Sequence, residues 1–233
     1  MMPATGVGPE CSDAFALTAP QAAAAARLVY AGEHPGSIAV LCGPSGVGKT
    51  SVLRHVAAAA QGSLRTVRLS CLAELMPGVA SGPHAGWERP EAAADLLLVD
   101  EADRGTAVDL VETVEWWRSR HPRVVIVLAG EGRLLSLLAA DARLERDVRL
   151  RAALPPFTLG ETRQLLGERL GGGGGTAIAD ETIRTIHEIA AGVPAAALRL
   201  ADVAALVAAD APGRPISPDT IEAIHRRLCL TAA

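Results

Sequence analysis

Gly43-Pro44-Ser45-Gly46-Val47-Gly48-Lys49-Thr50 reads G-x-x-x-x-G-K-T, the spelling of a phosphate-binding loop. In a chain of this composition an accidental match has odds of roughly one in a thousand. Lys49 is also the only lysine in 233 residues. Drift toward arginine, as in a GC-rich coding background, explains its absence elsewhere and makes this exception informative. A compact ammonium on a flexible stem fits among β- and γ-phosphate oxygens inside a tight loop, whereas a planar guanidinium is bulkier. The glycines let the backbone curl until its N–H groups and the next helix's N-terminus face one anion. Gly43 to Lys49, with Thr50 and Ser51 at the helix start, are thus the expected nucleotide contacts. Thr50 is expected to bind Mg²⁺ through its hydroxyl.

The flanking sequence has the order such a loop requires. Ser37 to Cys42 is a short apolar run that ends on the loop, and Lys49 to Ala60 carries Val52, Leu53, Val56 and Ala60 at helical spacing. Farther along, Leu96-Leu97-Leu98-Val99 runs into Asp100-Glu101. A buried strand would deliver both carboxylates to the sheet edge beside the loop. Asp100 is expected to hold Mg²⁺ through water, and Glu101 to polarise the attacking water. Asp100-Glu101-Ala102-Asp103 also spells the signature of RNA helicases. Those enzymes need a second sheet domain, for which 233 residues leave no room.

Strands are expected at Thr66 to Cys71, Leu96 to Asp100, Val124 to Ala129 and Val148 to Leu154. Helices are expected at Gln21 to Gly32, Ala107 to Arg120 and Leu134 to Leu144. Alternating strands and helices predict an α/β fold, a P-loop NTPase with a five-stranded parallel sheet covered on both faces. After Pro155-Pro156 the pattern turns all-helical, at Gly160 to Leu170, Asp180 to Ala191, Pro194 to Ala209 and Pro218 to Leu228. Asp180 and Ser217 read as N-caps, and Gly171 to Gly175 as a joint. The expected organisation is an irregular segment 1–20, a nucleotide-binding domain 21–156 and a small helical lid domain 157–233.

With 49% apolar residues and a formal charge of −4, the chain is expected to be soluble and not a non-specific coat for nucleic acid. Cys11, Cys42, Cys71 and Cys229 are widely spaced, without a C-x-x-C pair, and read as reduced thiols. The first basic residue is Arg27, and no apolar run reaches bilayer length, so no membrane insertion and a cytoplasmic location are expected. His34, His55, His121, His187 and His225 have no ligand spacing. The long connection Met76 to Pro90 and the pair Trp116-Trp117 are candidate contact surfaces, with an insertion and lid packing as the plainer accounts.

Leu96 to Arg104, Val127-Leu128-Ala129-Gly130, Leu150-Arg151 to Leu154-Pro155-Pro156, Glu161-Thr162 with Arg169-Leu170, and Gly192-Val193-Pro194 resemble the AAA+ ATPases of the ExeA-like secretion branch and the related TniB/MuB-like transposition ATPases. The resemblance covers most of Arg27 to Leu230. It implies an ATPase core with a lid, ATP and Mg²⁺ at their junction, ATP-dependent homo-oligomers and a protein partner of unknown identity. Arg143, Arg146, Arg149 and Arg151 are candidate arginine fingers. Aligned on Leu154-Pro155-Pro156, the family's finger falls on Asp147, one residue from Arg146. Arg146 and Arg151 are taken as catalytic alongside Lys49 and Glu101. The lid's usual arginine after Gly-x-Pro is replaced by Ala195, the next arginine being Arg199, and Glu131 stands where relatives carry glutamine. An active ATPase, an ATP-gated scaffold with little hydrolysis, and an ATP-dependent DNA-binding regulator remain open.

Overall fold

A strand whose successive residues are all apolar sends side chains to both faces, so both faces need a cover. The computed structural model describes residues 16–60, 67–75, 95–171, 178–209 and 216–231. Strands β1 (Ile38–Cys42), β2 (Val67–Cys71), β3 (Leu96–Asp100), β4 (Val125–Gly130) and β5 (Val148–Ala153) form one five-stranded sheet in the order β2-β3-β4-β1-β5. Every pairing is parallel.

Helices α1 (Ala19–Ala31) and α2 (Lys49–Ala60) cover one face. Their core takes Ala39, Leu41, Leu96, Leu98, Val125 and Val127. The residues between, Ile38, Val40, Leu97, Val99, Ile126 and Leu128, face a second core. That core is shared with α3 (Leu72–Leu75), α4 (Ala107–Arg120), α5 (Gly132–Ala139) and α6 (Ala142–Asp147). Trp117 of α4 is buried there, and Trp116 is only partly covered, with the Arg120 guanidinium 4.0 Å from its ring centre. β5 is an edge strand, and its Arg149 and Arg151 are exposed.

The remaining helices, α7 (Leu159–Gly171), α8 (Asp180–Ile189), α9 (Pro194–Ala209) and α10 (Pro218–Thr231), gather around a separate core that includes Leu166, Ile186, Leu200, Ala201 and Ile221. Two backbone hydrogen bonds attach this cap to the sheet's upper edge. Phe157 N donates to Gly192 O at 2.8 Å, and Ala195 N donates to Gly46 O at 3.2 Å.

Expected and observed boundaries agree within three residues, with two exceptions, and one expected N-cap is not made. The single helix expected over Leu134 to Leu144 is two helices. Asp141 breaks it by accepting hydrogen bonds from Arg143 N (2.8 Å) and Leu144 N (3.2 Å), which makes it the N-cap of α6. The one-turn α3 was not anticipated. Asp180 does not cap α8: Ala179 holds that position, and the Asp180 carboxylate instead pairs with Arg163 Nε at 3.1 Å. Ser217 does cap α10, accepting from Thr220 N at 3.4 Å. Residues 76–90 of the long connection and 172–175 of the glycine joint lie outside the described residues.

Candidate active site

β1 lies between β4 and β5, and the loop that leaves its upper end is braced by both neighbouring strands. Gly43 N donates to Gly130 O at the end of β4 (3.2 Å), and Leu154 N, just after β5, donates to Cys42 O (2.7 Å). Gly46 (φ +75°) and Gly48 (φ +100°) adopt backbone conformations that side-chain-bearing residues resist, which is why the curl needs glycine there. Helix α2 then begins at Lys49 with its first N–H groups open to an anion. Lys49 Nζ donates to Gly43 O (2.8 Å) and Pro44 O (3.0 Å), which holds the ammonium over the loop.

The acidic edge lies at the top of β3. Thr50 Oγ1 donates to Asp100 Oδ2 at 2.5 Å, and Asp100 Oδ1 accepts from Glu101 N at 2.9 Å. Glu101 sits at φ +51°, a left-handed conformation that costs a glutamate about 1–3 kcal/mol. Its neighbours enforce that turn. Ala102 is buried and its N–H donates to Ala129 O (2.9 Å), while Arg104 N donates to Glu101 O (3.0 Å). The Glu101 carboxylate pairs with Arg104 Nη2 at 2.9 Å, and both side chains are well exposed, so the pair is weak and breakable.

Lys49, Thr50, Ser51, Asp100 and Glu101 all line one cleft of about 1190 Å³. Thr18 and Gln21 of the α1 entry form one wall, and Glu161, Leu165, Ala195 and Leu198 of the cap form another. Gly46 and Gly48 line it too, as does Glu131, whose side chain makes no capping bond to α5. Arg199 is exposed and is not among the lining residues. The hydroxyl of Thr50 and the carboxylate of Asp100 are hard oxygen donors in contact with each other, a set that fits Mg²⁺ held by one or two protein oxygens and completed by phosphate. Among the described residues no three His, Cys, Asp or Glu side chains gather into a metal cage of their own. Cys42, at the base of the loop, has its thiol pKa raised by burial; the charges of Lys49 and Arg151 pull it down, and Asp103 adds to the rise.

The arginines expected near β5 do not join this cleft. Arg151 pairs with Glu145, and Arg143 pairs with Glu115 (3.2 Å) and Asp141 (3.3 Å). Asp147 pairs with Arg118, whose Nη2 also donates to Gly36 O at 2.8 Å. Arg146 and Arg149 make no ion pair among the described residues. With Arg118 they line a separate hollow of about 540 Å³. That hollow adjoins the start of β1 and of β5, the opposite end of the sheet from the loop. Sequence reasoning missed Arg104 and Gln21. The spacing Thr18-x-x-Gln21 marks a capping box, but nothing in it signals contact with a loop 26 residues away.

Comparison with known proteins agrees with this geometry. Residues 39–151, just under half the chain, match the family model described as ATPase family associated with various cellular activities (AAA). No curated protein sequence matches the chain. Among solved structures it is similar to the Thermotoga maritima RuvB Holliday junction branch migration motor, with TM-score 0.61 and 19% identity over 86% of this chain and 64% of that one. It is also similar to the Aeropyrum pernix ORC1 protein in complex with DNA, with TM-score 0.67 and 18% identity over 93% and 67%. The A. pernix ORC2 protein, in ADPNP–ADP complexes, gives TM-score 0.58 and 18% identity over 89% and 66%. This chain thus spans about two thirds of the length of these relatives, and identities this low show a shared fold. Residues 39–151 thus match the AAA family model, and the chain has the α/β P-loop AAA+ fold with helices lining one wall of the cleft.

Proposed function

We propose that this chain is a Mg²⁺-dependent ATPase in which ATP, held between the sheet domain (21–156) and the lid (157–233), draws protomers together, and hydrolysis releases them. The observation that carries this reading is the convergence of Lys49, Thr50, Asp100 and Glu101 on one cleft. In it, loop N–H groups and Lys49 bind and neutralise the β- and γ-phosphates. Thr50 and Asp100 would hold Mg²⁺, which supplies further charge neutralisation when bound. Glu101 takes the proton of a water that attacks the γ-phosphorus, the bond to ADP oxygen breaks, and ADP and phosphate leave. Arg146, exposed beside edge strand β5 and without an ion pair among the described residues, reaches the ATP of a neighbouring copy, and such a finger accelerates hydrolysis by about 10³–10⁵. Arg151, tied to Glu145, assists from the same edge.

Steady-state turnover and sizing with and without ATP test this. Glu101→Gln is expected to keep ATP, lose turnover and trap the assembled form, and Lys49→Ala to lose phosphate binding. Equal turnover in wild type and Glu101→Gln removes the assigned base.

A second reading, an ATP-gated scaffold with little hydrolysis, draws on the Glu101–Arg104 pair, the Glu131 carboxylate in the cleft and Ala195 in place of a lid arginine. Assembly driven by ATP without measurable turnover in wild type would favour it. The output is the driving or regulation of a protein complex in the cytoplasm, of the secretion or transposition kind. No described helix is long and apolar enough to cross a membrane. An ATP-dependent DNA-binding regulator is the other version, and salt-sensitive DNA binding that appears only with ATP distinguishes it.

A further inference from the structure

The cleft contains a polar side chain that the hydrolysis scheme does not use. Gln21, in the first turn of α1, is 6% exposed, and its amide makes two hydrogen bonds of opposite sense. Oε1 accepts from Thr18 N at 3.1 Å, and Nε2 donates to Val47 O at 3.1 Å. Because one partner is a donor and the other an acceptor, a carboxamide oriented this way satisfies both, whereas an ionised carboxylate satisfies only one.

Val47 O belongs to the same planar trans peptide unit as Gly48 N–H, and in such a unit the C=O and N–H point in opposite directions. A bond that ties the Val47 carbonyl back toward α1 therefore aims the Gly48 N–H away from α1. That N–H sits in the curl just before Lys49, where the loop presents its donors to a phosphate. Glycine at position 48 makes the aim fragile: rotating the 47–48 peptide by half a turn changes φ of residue 48, and glycine tolerates both orientations. Gly48 also runs so close under the amide that a Cβ there would lie 2.5 Å from Gln21 Nε2.

We infer that Gln21 is a positioning residue for phosphate binding: its amide locks the Val47–Gly48 peptide so that the Gly48 N–H stays turned toward the nucleotide's phosphates. The inference rests on the nucleotide-binding reading above and adds to it a residue outside the loop. It also ties the segment Leu17–Thr18, which lines the same cleft, to the loop through one side chain.

Gln21→Glu separates this role from simple helix capping, because glutamate serves a capping box as well as glutamine but, when ionised, cannot donate to a carbonyl. Gln21→Met keeps the volume and removes both bonds without adding charge. The experiment measures Mg²⁺–ADP affinity and thermal melting of the full chain for wild type and both variants, across pH. Gln21→Glu is expected to stay folded, to melt below wild type at high pH because its buried charge faces the Val47 carbonyl, and to bind ADP about tenfold more weakly there, equivalent to about 1.4 kcal/mol. Its deficit relative to wild type closes as pH falls and the carboxyl regains a proton to donate. Gln21→Met is expected to bind about tenfold more weakly at every pH. Wild-type affinity in Gln21→Met overturns the inference, including when Gln21→Glu alone is weak, since charge then explains the loss. A Gln21→Glu deficit that does not change with pH also overturns it. If wild type itself fails to bind ADP or ATP, the nucleotide-binding reading falls first, and this inference with it.

Discussion

Gly46→Ala tests the contact between loop and cap, because the structure gives its effect two separable parts. The first is local: φ is +75° at Gly46, and a left-handed conformation costs an alanine about 1–2 kcal/mol. The second is steric. A Cβ at residue 46 would stand 2.8 Å from Ala195 Cβ and 3.1 Å from Val193 Cγ1, inside van der Waals contact, and overpacking of this kind costs about 1–3 kcal/mol. The single variant is thus expected to lose about 3 kcal/mol. Ala195→Gly removes the nearer obstacle but leaves Val193, so the double variant should regain about 1 kcal/mol beyond additivity. Urea unfolding followed by tryptophan fluorescence, run on wild type, both single variants and the double variant, gives the coupling directly. A coupling within about 0.3 kcal/mol of zero would refute the reasoning, because the loop and α9 would then not touch in solution.

Two further predictions concern the sheet domain. Trp117→Ala should cost about 3–5 kcal/mol by emptying the core between α4 and the sheet, whereas Trp116→Ala, half-covered and stacked with Arg120, should cost under about 1 kcal/mol in the same urea assay. Asp141→Ala should lower the melting temperature at neutral pH, and the difference should vanish in acid. The folded-state pKa of Asp141 is held below the ordinary carboxylate value, first by the Leu144 N–H and then by Arg143. Its stabilisation is therefore complete above the unfolded pKa and is lost as pH falls through the folded one. A difference unchanged at about pH 2 would assign the effect to something other than the ionised cap.

β1, β3 and β4 were legible because they are uninterrupted apolar runs, two of which end on chemically distinctive residues: Cys42 before the glycine loop, Val99 before Asp100. Helix starts were less so. Asp180 and Asp141 are the same residue type at helix starts, yet one is the first residue of its helix and pairs with Arg163 while the other precedes its helix and caps it. The cleft's loop and acidic edge could be read because each is contiguous in the chain. Gln21 could not, since its partner Val47 lies on another element, and neither could the left-handed turn at Glu101, which depends on Ala102 reaching across to Ala129. The finger arginines show the limit of alignment on one anchor. Counting back from Leu154-Pro155-Pro156 lands on Asp147, and the fold has committed that carboxylate to Arg118.

The brace that Leu154 lends to Cys42 orders events during synthesis. The first strand to be made lies in the finished sheet between the fourth and the last, so the glycine curl has no flank on one side until more than a hundred further residues have been translated. A nascent chain halted before that final strand carries the complete phosphate signature braced on the β4 side alone. On the function proposed above, the loop is fully braced for a nucleotide only after the whole sheet has left the ribosome.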